Sequence, residues 1–104
     1  MNITIQTVGF KESKHLVKFI YQKVERLFQH HPETIRVDIT LKKGAKNNVT
    51  NEWCALYLSH PGENQYVKHH SETYEESITH CVESMEKILR RQKSIELKLR
   101  KESK

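Results

Sequence analysis

The chain has 104 residues, room for one domain with one modest core and not for two. Lys and Arg outnumber Asp and Glu by 18 to 13, leaving a formal charge of +5 that favours an acidic partner such as nucleic acid. No stretch approaches the roughly 18 apolar residues that span a bilayer, and Met1 to Ile5 lack a basic segment followed by an apolar one, so a soluble, cytoplasmic protein without membrane contact is expected.

In chain order, Ile3 and Ile5 alternate with polar residues, the pattern of a first strand ending near Thr7, and Gly9 breaks it. Ser13 is placed to cap a helix over 14–29, in which Leu16, Phe19, Ile20, Val24, Leu27 and Phe28 recur at helical spacing. His30-His31-Pro32 closes it, because a residue before proline avoids the α region. From Ile35 the period changes: Ile35, Val37, Ile39 and Leu41 alternate with polar residues, as in a strand with one buried face. Lys43 to Asn51 carries Gly44, two asparagines and further lysines, and reads as an exposed loop. Residues 52–59 read as a third strand, with Cys54, Leu56 and Leu58 on one face and Trp53, Ala55 and Tyr57 on the other. His60-Pro61-Gly62-Glu63 has proline and glycine where a type II turn requires them, predicting a hairpin to a fourth strand near 65–70.

The second helix is predicted over Tyr74–Lys93. At 100° per residue Ile78, Cys81, Val82, Met85, Ile88 and Leu89 share one side, His80, Lys87 and Arg91 gather on another, and Glu76, Glu83 and Glu86 are expected apart from that basic stripe. Beyond Lys93, Ile95, Leu97 and Leu99 fit either a ragged helical extension or an extended segment, so the domain is taken as 1–94 and 95–104 as a short basic tail outside it, whose order the sequence leaves open. The order β-α-β-β-β-α, with one apolar stripe on each helix, gives an α+β fold: a four-stranded sheet with both helices on one face. Trp53 and Tyr57 then lie near Arg36 and Asp38 on the open face, where they suit a protein partner, a homodimer through that face, or stacking on bases.

Enzyme signatures are missing: there is no glycine-rich phosphate loop and no GxSxG elbow. No catalysis and no cofactor are expected. Cys54 and Cys81 form no CxxC pair and are flanked by apolar residues, which suits buried thiols in a reducing compartment. His69 and His70 are adjacent on a strand and point to opposite faces, so they do not share a metal, and His30-His31 suits the C-terminal end of a helix dipole. The basic residues offer more. Lys23 and Arg26 flank the apolar stripe of the first helix beside Phe19, where their stems can run along apolar surface. Lys87, Arg90, Arg91 and Lys93 supply four cations within seven residues of the second. Together these six are the candidate RNA-binding residues, acting on phosphates and helix shape rather than on base sequence.

Three segments carry a family resemblance. Phe10-Lys11-Glu12-Ser13-Lys14-His15-Leu16 matches a stretch of the type V-E-I-T-E-A-L, with serine for the capping threonine. Gln22 to Leu27 matches a K-x-x-K-L helix ending, and Tyr74 to Thr79 stands where a D-M-Y-A-A-I-D-like helix start belongs, followed by Met85, Leu89 and the basic cluster. With the element order, residues 2–93 resemble the short form of the ribosome hibernation-promoting factor and ribosome-associated inhibitor family, also called sigma-54 modulation proteins. Thr73 stands where that family has an acidic helix start, and Ser84 where it often has lysine.

The resemblance implies a fold like that of double-stranded-RNA-binding domains. It also implies binding to the small ribosomal subunit near the decoding region, which blocks messenger and transfer RNA while ribosomes idle. Carried over, Lys23 and Arg26 match basic positions on the first helix, and Lys87, Arg91 and Lys93 match those on the second, with Arg90 adjoining. The chain is expected to lack the dimerisation domain of long-form members and so not to bridge ribosomes by it. The competing expectation is a protein-interaction module using the open sheet face around Trp53 and Tyr57.

Overall fold

In the computed structural model, residues 1–44 and 51–102 are described, with side chains described as far as Ile95. The elements are β1 (Ile3–Val8), α1 (Lys14–His30), β2 (Arg36–Lys43), β3 (Glu52–Ser59), β4 (Gln65–Ser71) and α2 (Tyr74–Glu102). They form one four-stranded sheet in the order β1-β2-β3-β4 with both helices on one face, the predicted α+β architecture.

β1 pairs parallel with β2, placing Ile3 opposite Val37 and Ile5 opposite Ile39. A parallel pair cannot be closed by a tight turn, and α1 supplies the crossover. Ser13 caps α1 as expected: its backbone is extended and its Oγ accepts the Leu16 N–H at 3.1 Å. At the other end the His31 N–H reaches the Leu27 carbonyl at 2.8 Å, and Pro32 then prevents continuation. β2, β3 and β4 follow as an antiparallel meander. Gly62 takes φ +97°, the left-handed conformation that the second central position of a type II turn demands.

Thr73 caps α2, its hydroxyl accepting the Glu76 N–H at 3.2 Å, so a neutral cap serves where the resembled family has an acid. Ser77, fully buried, hydrogen-bonds the Glu52 carbonyl and lies 2.7 Å from the Ser71 hydroxyl, which brings the helix close to the sheet. The core joins Leu16, Ile20, Val24 and Leu27 of α1 and Ile78, Cys81, Val82, Met85 and Leu89 of α2 to Val37, Ile39, Leu41, Cys54, Leu56 and Leu58. Burial of each large side chain contributes about 1.5–3 kcal/mol. Cys54 and Cys81 are free, buried thiols; contact with the Cys81 thiol, reinforced by burial, pushes the Cys54 thiol up out of reach of ionisation.

Two boundaries differ from expectation. β2 starts at Arg36: the Ile35 N–H still reaches the Ser59 carbonyl of β3, but the Ile35 side chain is 57% exposed and lies outside the core. α2 runs on to Glu102, the helical one of the two alternatives for the segment beyond Lys93. Gln92 Nε2 donates to Glu63 at 3.4 Å, so the β3-β4 turn supports the helix there. The expected loop at 43–51 falls largely on residues 45–50, outside the described residues, as do the side chains of Leu97 and Leu99.

Candidate nucleic-acid interface

Phe10, just before α1, stacks on Tyr74, the first residue of α2, with ring centroids 4.5 Å apart. At the far end of α1, His30 Nδ1 lies 3.0 Å and His31 Nε2 3.3 Å from the same Glu86 oxygen. The helices therefore run side by side in one direction, and α1 ends level with Glu86. Between them lies a groove of about 280 Å³ lined by Arg26 and His30 of α1 and by Val82, Glu83, Glu86, Lys87 and Arg90 of α2.

Of the six sequence candidates, the structure brings Arg26, Lys87 and Arg90 together in this groove. Lys23 stands apart, its Nζ 5.5 Å from the centroid of the Phe19 ring, where the half-buried stem follows apolar surface as expected. Arg91 and Lys93 are exposed and are not among the residues that line the groove.

The expected separation of Glu83 and Glu86 from the stripe of His80, Lys87 and Arg91 is corrected at Lys87, which shares the groove with both acids. Glu83 lies one turn before Lys87 and Glu86 one turn before Arg90, so helical spacing returns the carboxylates to the cationic face. Glu86, with its side chain only 14% exposed, meets both histidines and stands 3.5 Å from Arg90 Nε. It ties the end of α1 to the middle of α2 and offsets part of the groove's positive charge. Sequence reasoning missed this role. The available signal was the position of Glu86 four residues after Val82, on the margin of the apolar stripe and so toward a neighbouring element.

Ser84 points elsewhere: its Oγ lies 2.8 Å from Nε2 of His69 on β4, and the His69 ring lies 5.9 Å from that of His80. The part of α2 that carries His80 and Ser84 thus looks toward β4. His69 and His70 do face opposite ways, since the His70 ring packs 4.4 Å from Trp53 on the open face. Among the described residues no group of three or more His, Cys, Asp or Glu is arranged to hold a metal ion, and no helix is long and apolar enough to cross a membrane.

On the open face, Tyr57 lies opposite Asp38 as expected, and Asp38 is paired with Arg36 at 3.1 Å. Trp53 does not join them: it lies four residues from Tyr57 along β3, and the register sets it opposite Lys42 and His70 rather than near Arg36 and Asp38, with Lys68 Nζ 4.7 Å from its ring centroid.

Comparison with known proteins gives a consistent result. Solved structures with this fold include a ribosomal subunit interface protein from Coxiella burnetii, 17% identical, with a TM-score of 0.79 over 90% of this chain and 99% of the other. They also include the N-terminal domain of Protein Y from Thermus thermophilus, 15% identical, with a TM-score of 0.74 over 88% of this chain and 98% of the other. No curated protein sequence matches. The family pattern described as Sigma 54 modulation protein / S30EA ribosomal protein matches residues 3–95, nearly the whole of the fold. The chain belongs to the sigma 54 modulation protein / S30EA ribosomal protein family.

Proposed function

We propose that this protein is a non-enzymatic, cytoplasmic translation inhibitor that binds small-subunit ribosomal RNA near the decoding region and holds idle ribosomes in hibernation. The observation that carries this reading is the convergence of Arg26, Lys87 and Arg90 on the groove between two parallel helices, in a chain of this family. Cations on two adjoining rods can follow a phosphate backbone by shape, each phosphate contact releasing counterions and adding salt dependence. The name of a structural neighbour, ribosomal subunit interface protein, points the same way.

Co-sedimentation with small ribosomal subunits at low and high salt tests the proposal. Association that weakens steeply with salt, and that Lys87→Glu with Arg90→Glu reduces far more than Lys11→Glu, supports it. Absence of association, or equal losses from the two substitutions, rejects it.

A further inference from the structure

The open face of the sheet carries a second feature that the helix groove does not use. Its register sets out three rows across β2, β3 and β4: Lys42, Trp53 and His70; then Thr40, Ala55 and Lys68; then Asp38, Tyr57 and Tyr66. The middle row centres on alanine while both neighbours along β3 are aromatic, so the face is hollowed at Ala55. The hollow measures about 380 Å³ and is lined by Thr40, Lys42, Gly44, Trp53, Ala55, Tyr66 and Lys68.

We infer that this hollow holds one unstacked nucleotide of single-stranded RNA, with the base over Ala55 between Trp53 and Tyr66 and its phosphate at Lys42 and Lys68. The proposal takes from the groove reading only RNA as the partner. Three observations favour that occupant. Tyr66 is 57% exposed, leaving aromatic surface open to a base. Two lysines line the hollow and no carboxylate does; Asp38, the acid on the neighbouring row, is engaged by Arg36. The helix groove, in contrast, holds Glu83 and Glu86 among its cations. A second copy of the chain is the poorer occupant, because a two-fold contact over this hollow would set Lys42 and Lys68 against their own images without an acid in the lining to offset them.

The protein's single tryptophan is Trp53, so its fluorescence reports on the hollow directly. The full chain is titrated with single-stranded RNA of about eight nucleotides, a length within the range such sites span. Saturable quenching is expected. Lys42→Glu with Lys68→Glu, both exposed positions, should weaken it about tenfold or more, consistent with loss of contacts of about 1.4 kcal/mol or more. Ala55→Leu, which fills the hollow, should abolish it, and Lys87→Glu with Arg90→Glu should leave the midpoint within about twofold, since distant sites act independently. Absence of saturable quenching, equal quenching by inorganic polyphosphate, or indifference to the lysine pair overturns the inference. So does a dimer that Ala55→Leu dissolves and RNA leaves intact. The same variants in small-subunit co-sedimentation separate the two readings: the groove reading fails if the Lys87 and Arg90 substitutions are silent there, and the hollow fails on the oligonucleotide titration alone.

Discussion

Ser84 on α2 and His69 on β4 are in direct contact, Oγ to Nε2 at 2.8 Å. A neutral residue therefore interrupts the basic stretch because that point of the helix is packed on the sheet edge rather than turned to a polyanion. Ser84→Ala is expected to lower unfolding stability by about 1 kcal/mol, the usual worth of such a bond, while leaving small-subunit association unchanged. Urea denaturation and co-sedimentation of the one variant check both halves.

His69 also gives a pH dependence. Burial, then the charges of His80 and His70, hold its imidazole below the ordinary value of about 6.5. The folded state thus resists a proton that the unfolded chain accepts. The stability contribution is complete above the unfolded value and declines as pH falls from there toward the depressed folded value. Thermal melts between pH 7.5 and 5.5 should show a midpoint that falls with acidification, and His69→Gln should flatten that slope. Glu12 and Glu33, whose carboxyls are held below their usual range by backbone hydrogen bonds and then by Thr7 and His60, act only in a more acid window.

The architecture was legible because its signals are local and periodic. Val37, Ile39 and Leu41, then Cys54, Leu56 and Leu58, show the two-residue period of a half-buried strand, and every one of them is in the core. Ser13 and Gly62 mark their turns by chemistry that needs no tertiary context. The site was less legible because groove membership depends on the rotation and relative length of two helices. Arg90 and Arg91 are adjacent in sequence and about 100° apart around the helix, so one faces α1 and the other does not. Glu86 is acidic in a basic segment, and only the arrival of His30 and His31 from α1 gives it a structural task. The hollow at Ala55 was hidden for a similar reason: a small residue is conspicuous only once the register places Lys68 and Thr40 beside it.

Glu86→Gln removes a carboxylate from among the groove's cations while keeping an oxygen to accept from the histidines. Association with small subunits should tighten, and the slope of log affinity against log salt should steepen by up to about one unit, since one more phosphate can be neutralised. Stability should fall modestly, because His31, only 3% exposed, loses a charged partner. Binding isotherms at several salt concentrations, with a melt of the same sample, measure both effects.

Single charge reversals along α2 should separate residues that sequence alone groups together. Lys87 and Arg90 line the groove with Arg26, so Lys87→Glu or Arg90→Glu should each cost association about tenfold at moderate salt, combining loss of a phosphate contact with a new repulsion. Arg91 and Lys93 are exposed and outside the groove lining, so their reversals act on the same RNA only through longer-range, screened attraction, with losses of about threefold or less at physiological salt. Reversal at exposed helix positions perturbs folding little, which makes the comparison one of binding. Measured as apparent affinity for small subunits at fixed salt, equal losses at all four positions would show that the whole basic flank of α2, and not the groove, meets the RNA.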